Sequence, residues 1–172
     1  LFDIRYILGS KKIIEEMGGK SGVTRVGHAF ITEEMGKTNA IFAGESSGHF
    51  YYRANGNAES QLATLVCVLK ALSEENKPLS EVMNELRRSH ESGEFNFKVN
   101  NANEILEALK NKYKDGELVT IDGIAISYEN WRFSARTSNT EPLLRLNVES
   151  YNEKTTKEKL EEIMALIKSF EK

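Results

Sequence analysis

The sequence predicts an α/β domain with a mixed sheet, followed by an α+β domain whose sheet is antiparallel. Three observations carry this. In residues 1–90 short β-rich runs alternate with apolar residues at helical spacing, as in Leu62, Leu65, Val66, Leu69 and Leu72. Beyond residue 94, strand-like runs follow one another: Phe95, Phe97 and Val99 alternate with polar residues, and further runs lie at about 118–127, 131–136 and 143–150. Between the two patterns stands a polar, Gly-containing stretch, Ser89-His90-Glu91-Ser92-Gly93-Glu94. The expected domains are therefore 1–90 and 91–172.

The elements follow in order. A strand ends near Arg5, and a helix runs through Ile13, Ile14 and Met17 until Gly18-Gly19 stops it. A short strand is expected over Val23–Val26, and a buried one over Asn39–Ala43 that delivers Gly44-Glu45 at its carboxyl end. In α/β sheets ligands gather at that end. His49–Arg53 continues as a β-type run rich in aromatics. A long helix covers about 59–74, with Cys67 buried in its apolar stretch, and Pro78-Leu79-Ser80 opens another helix to about Arg88. In the second domain Asn101 with Glu104 forms a capping pair for a helix bearing Ile105, Leu106, Leu109 and Tyr113. After the strands, Thr155 with Glu158 forms a capping box for a last helix, whose core stripe is Leu160, Ile163, Met164, Ile167 and Phe170.

The totals exclude several classes. A net charge of −3, with basic residues dispersed among acidic ones, gives no basic face for nucleic acid. One cysteine permits no internal disulfide. No apolar run approaches the roughly 20 residues that span a bilayer, and no secretory leader is visible, so the cytoplasm is the default location. The chain starts with Leu1-Phe2-Asp3 inside a strand and without an initiator Met, as a fragment of a longer polypeptide would. There is no Asp-rich ligand loop and no His/Cys ligand spacing, so no metal site is expected in these residues.

Two segments carry chemistry. Arg136-Thr137-Ser138-Asn139-Thr140-Glu141-Pro142 sits between two strands. Arg offers a planar fork for phosphate oxygens, and hydroxyls, an amide and backbone N–H groups fill the remaining directions. Composition alone equally allows a capped polar turn. The second segment is Gly44-Glu45-Ser46-Ser47-Gly48-His49. Here a carboxylate can accept bonds from two vicinal hydroxyls, and flanking glycines let backbone approach a ligand.

Together these motifs resemble those of the α-D-phosphohexomutase family, which includes phosphomannomutase and phosphoglucomutase. Thr24-Arg25-Val26-Gly27-His28 and Ile121-Asp122-Gly123 add to the match, which covers nearly the whole chain but only the last two of the family's four domains. The resemblance implies a three-layer α/β domain 3 over 1–90 and a TATA-binding-protein-like domain 4 over 91–172, with an antiparallel sheet and helices on one face. It implies phosphate binding by Arg136, Ser138, Asn139 and Thr140, and sugar binding by Glu45, Ser47, His49, Arg25 and His28, with His49 also an assistant in proton transfer. The family reaction exchanges a phosphoryl group between the 1- and 6-positions of a hexose through a phosphoserine and a hexose 1,6-bisphosphate. The serine and the Mg2+ loop belong to domains 1 and 2, which match nothing here, so no catalytic residue is expected in this fragment and it is expected to be inactive alone. Phosphoglucosamine mutases usually place Gly where Asn139 stands, which favours mannose, and glucose beside it. The alternatives are a phosphoglucosamine mutase or a non-catalytic phosphosugar-binding module.

Overall fold

The computed structural model describes residues 1–138 and 142–170, so the expected phosphate-loop residues Asn139 and Thr140 lie outside the described residues. The chain forms two compact units. Leu1–Asp3 joins Gly9–Arg88 in the first, and Ile4–Leu8 joins the residues from Ser89 onward in the second. The segment Ile4–Leu8 thus keeps company with the second unit, although sequence position puts it in the expected first domain.

The first unit holds strands β1 (Phe2–Asp3), β2 (Val23–Thr24), β3 (Phe42–Gly44), β4 (Phe50–Tyr52) and β5 (Ala58–Glu59). Its helices are α1 (Leu8–Glu16), α2 (His28–Thr38), α3 (Gln61–Glu75) and α4 (Leu79–Leu86). The sheet has the order β2-β1-β3-β4-β5. It is mixed: β1 runs parallel to β2 and β3, and the remaining pairs are antiparallel hairpins. Its buried core is small, with Ile31 and Met35 of α2 packed with Ala43 and Tyr51.

Helix α2 is not among the expected elements. Its core pattern is a single i, i+4 pair among polar residues, too sparse for periodicity to register. The strand expected over Asn39–Ala43 starts three residues later, at Phe42, and Ile41 is exposed. The α3 stripe forms at the expected spacing but stays uncovered: Leu62 is 72% and Leu65 54% exposed, with Val66 and Leu69 similar. Cys67 is exposed as well, not buried. Periodicity tells which residues share a helix face; it does not tell what covers that face. Ser60 caps α3 by accepting from the Ala63 N–H at 3.1 Å.

The second unit holds β6 (His90–Lys98), α5 (Ala102–Lys112), β7 (Glu117–Val119), β8 (Ile124–Ser127), β9 (Trp131–Thr137), β10 (Leu143–Ser150) and α6 (Glu153–Lys168). The antiparallel sheet has the order β6-β10-β9-β8-β7. Phe133 and Ala135 alternate on β9, and Leu144, Leu146 and Val148 on β10; this face packs with Ile105 and Leu109 of α5 and Ile163 and Ile167 of α6.

Three expectations change here. The single run at 118–127 is two strands, because Gly123 turns the chain at φ 69°. The polar stretch at 89–94 belongs largely to β6, pairing with Glu149 and Ser150 across a bulge where Gly93 takes φ 81°. Its Ser92 hydroxyl accepts from the Val148 N–H at 2.9 Å, which replaces a regular ladder bond. Helix α6 starts earlier than the capping box at Thr155, because Asn152 accepts from the Lys154 and Thr155 N–H groups. The Asn101 cap of α5 is present, its side chain accepting from the Glu104 N–H.

The other face of β9 and β10 is polar yet buried, with Arg132, Ser134, Arg136, Asn147 and Glu149 on it. Arg132 stands opposite Glu149 in the register and pairs with it at 3.0 Å, both side chains fully shielded. On this face lies Ile4–Leu8. The Arg132 guanidinium donates to the carbonyls of Arg5 and Ile4, and Glu149 accepts from the N–H groups of Ile7 and Leu8. Arg145, on the same strand as Glu149, pairs instead with Glu94. Four residues along one strand span about 13 Å, whereas facing residues on neighbouring strands lie about 5 Å apart. Among the described residues no helix is long and apolar enough to cross a membrane.

Candidate functional site

In the first unit a pocket of about 270 Å3 is lined by Gly27, His28, Glu45, Ser47, His49, Tyr51 and Glu59. The loop from β3 to β4 builds one wall. Its ends are closed by the Glu45 N–H bonding to the His49 carbonyl at 2.8 Å, and the Gly48 N–H to the Glu45 carbonyl at 2.9 Å. Gly48 makes that turn at φ 87°. The loop is tied to β1 because Asp3 accepts from the Ser46 N–H at 2.6 Å. These bonds hold Glu45, Ser47 and His49 on a short, fixed hairpin at the carboxyl end of β3.

Glu45 is almost fully buried at 8% exposure. One carboxylate oxygen accepts from the Gly27 N–H at 3.1 Å and the other from the Tyr51 hydroxyl at 2.7 Å. Gly27 is the N-cap of α2, so the carboxylate also sits at the positive end of that helix. A carboxylate has about four lone-pair directions, and these two donors occupy two of them. Burial, then the bond to Glu45, pushes the Tyr51 phenol far above its ordinary value, which keeps it a donor. The His28 ring meets the Tyr51 ring edge-on, with centroids 5.2 Å apart. His49 Nδ1 lies 2.9 Å from Glu59 Oε1.

Four of the five expected sugar-binding residues, Glu45, Ser47, His49 and His28, line this one pocket. Arg25 is exposed and not among the lining residues; its guanidinium lies 3.9 Å over the Phe30 ring. The sequence reading missed Tyr51, Glu59 and Gly27. Strand alternation from His49 could have pointed to Tyr51, two residues on. Glu59 had no local signal, since the β4–β5 register sets it opposite Tyr51.

In the second unit, Arg136 stands at the end of β9, directly opposite Arg145 on β10. Two guanidinium groups facing each other repel unless an anion intervenes. Among the described residues Glu94 intervenes, with Oε2 at 3.0 Å from Arg136 and Oε1 at 3.5 Å from Arg145. Arg145 also donates to the Ser138 hydroxyl at 3.4 Å, and the Ser138 N–H closes onto the Leu143 carbonyl at 2.8 Å. Arg136 is 5% exposed, and its Nε, like that of Arg145, has no partner among the described residues. Gly123 fixes the backbone behind Arg136: a Cβ there would come 2.7 Å from the Arg136 Cα.

Fold and site together define a class of protein: an α/β unit with a carboxylate-and-imidazole pocket, joined to an antiparallel α+β unit with paired arginines at a hairpin. The comparisons give the family. The profile described as phosphoglucomutase/phosphomannomutase alpha/beta/alpha domain III matches residues 3–89, and that of the C-terminal domain matches residues 94–166. The chain belongs to the phosphoglucomutase/phosphomannomutase family. It is 48% identical to a phosphomannomutase of Methanocaldococcus jannaschii over 167 residues, covering 97% of this chain and 37% of that protein. It is 37% identical to a phosphomannomutase of Escherichia coli, covering 98% of this chain and 38% of that protein. A crystal structure of a phosphoglucomutase/phosphomannomutase family protein from Burkholderia thailandensis superposes with a TM-score of 0.81 at 25% identity, covering 99% of this chain and 37% of that one. The chain thus spans little more than a third of the length of these relatives.

Proposed function

We propose that the chain is the substrate-binding part of a phosphohexomutase that interconverts hexose 1-phosphate and hexose 6-phosphate, mannose first and glucose beside it. In this reading a longer polypeptide supplies the phosphoserine and the Mg2+ loop, and a hexose 1,6-bisphosphate is the intermediate. Among the described residues no group of three or more His, Cys, Asp or Glu side chains is placed to hold a metal ion.

The observation that carries the reading is Glu45: a buried carboxylate, fixed by a helix N-cap and a tyrosine, that lines a pocket with a serine and two imidazoles. Such a group accepts from neighbouring ring hydroxyls while Ser47 and His49 bond to others. An enzyme that binds its sugar in two orientations needs hydroxyl contacts that serve both. Arg136, Arg145 and Ser138 read a phosphate by charge and fork geometry, whatever sugar carries it.

The test is an NMR titration of the 172-residue chain with mannose 1-phosphate and, separately, inorganic phosphate. Sugar phosphate should shift the amides of Glu45–His49 and of Ser138, and inorganic phosphate that of Ser138. Arg136→Ala should weaken the phosphate response by about 10- to 150-fold, the worth of a charged hydrogen bond of about 1.5–3 kcal/mol. Absence of any sugar-dependent shift at Glu45–His49 overturns the sugar assignment. Mutase turnover by this chain alone overturns the assignment of the serine and metal to the rest of a longer polypeptide.

A further inference from the structure

We infer that Glu59, held by Gln61, is the positioning residue of the pocket: it fixes His49 as the Nδ1–H tautomer and so presents Nε2 to the sugar as a hydrogen-bond acceptor. This rests on the sugar-binding reading for its ligand, but not for its geometry.

Glu59 ends β5 and Gln61 opens α3, so the two flank the Ser60 cap on a short, fixed backbone. Glu59 Oε1 lies 2.9 Å from His49 Nδ1 and accepts from Gln61 Nε2 at 2.6 Å. The same Gln61 nitrogen donates to the Gly48 carbonyl at 2.9 Å. Both amide hydrogens of Gln61 are thereby committed, one to the carboxylate and one to the loop that carries His49. The carboxylate, the loop and the imidazole form one closed ring of hydrogen bonds.

The bond to His49, then that to Gln61, holds the Glu59 carboxyl below the usual carboxylate range. An ionised carboxylate only accepts, so the His49 Nδ1 must carry the hydrogen. In a neutral imidazole the other nitrogen then bears the lone pair. The charged and titratable groups sharing this pocket are Glu59, Glu45, His28 and Tyr51. Glu45 accepts from Tyr51, and Glu59 is the carboxylate at hydrogen-bond distance from His49 Nδ1. Carboxylate partners of this kind orient histidines at metal and catalytic centres.

The experiment is a long-range 15N–1H NMR spectrum of the imidazoles in the 172-residue chain, compared with Glu59→Ala and the size-conserving Glu59→Gln. The wild-type His49 should show a protonated-type Nδ1 and a lone-pair-type Nε2. Both variants should shift these resonances toward the average of two tautomers, while amides outside the pocket stay in place. Glu59→Asp should restore part of the wild-type pattern. Affinity for mannose 1-phosphate should fall about tenfold in Glu59→Ala, with the response to inorganic phosphate at Ser138 unchanged. A wild-type His49 protonated at Nε2, or a pattern unchanged in both variants, overturns the proposal. If the tautomer behaves as stated but no sugar phosphate binds the wild type, the positioning role stands and the sugar reading falls.

Discussion

Replacing Arg132 by Met should destabilise the second unit by about 3–5 kcal/mol, the usual cost of removing one partner from a buried ion pair. The guanidinium takes with it the bonds to Glu149 at 3.0 Å, to the Arg5 carbonyl at 3.0 Å and to the Ile4 carbonyl at 2.9 Å. The carbonyls lose a buried donor, at about 1–3 kcal/mol each, and Glu149 becomes a buried charge without its counter-ion. Relaxation of the Ile4–Leu8 segment keeps the total near the stated range rather than above it. The assay is urea unfolding read by Trp131, the one tryptophan of the chain, which neighbours Arg132 and belongs to the core of this unit. With a slope of about 1–3 kcal/mol per molar urea, the midpoint should fall by at least about 1 M. Adding Glu149→Gln to the same chain removes the stranded charge and should restore about 2 kcal/mol. A midpoint within about 0.3 M of wild type in the single variant, or no recovery in the double one, would refute the argument that a buried charge pair holds the segment.

Other outcomes follow from the same structure. Gly123→Ala strains a residue at φ 69° and drives a methyl toward the Arg136 backbone; it should cost about 1–3 kcal/mol in the Trp131 unfolding assay and weaken the phosphate response at Ser138. Glu162 is held at about 2, first by Lys159, then by Lys112 and Tyr113 against a desolvation penalty. Its folded value lies below the ordinary one, so this stabilisation is present above about pH 4.5 and is lost as pH falls toward 2; Glu162→Gln should flatten that part of the urea-midpoint profile. The side chain is 36% exposed, so solvent screening keeps the effect below about 1 kcal/mol. Leu65→Lys with Leu69→Lys should reduce binding of an apolar fluorescent dye to the α3 face and leave the Trp131 midpoint unchanged.

Much of this was legible in the residues themselves. Asn101 before an apolar stripe gave a helix start, and alternating Leu144, Leu146 and Val148 gave the core face of β10. Arg136 at the end of a strand and Glu45 after one were readable because strand alternation and turn chemistry are local. What failed was long-range. The partner of Glu149 depends on which strands lie side by side, and β9 brings Arg132 to it. Glu59 reaches His49 only because the β4–β5 hairpin has its particular register. Helix α2 escaped because its contribution to the core is two side chains, and the α3 stripe misled because a periodic face was equated with a covered one.

The passage of the chain through Ile4–Leu8 bears on how a gene for such a protein can be divided. The polypeptide enters the first unit, leaves it for five residues, returns for Gly9–Arg88 and leaves again. No single scission therefore yields two intact pieces. A fragment starting at Ser89 would carry Arg132 and Glu149 facing a bare sheet, and would regain its native complement only if a peptide containing residues 4–8 were supplied in trans. The sequence boundary and the spatial boundary are different lines. An exchange of units between relatives must move both the carboxyl-terminal stretch and this short upstream strap, or it will separate a buried acid and base from the backbone they hold.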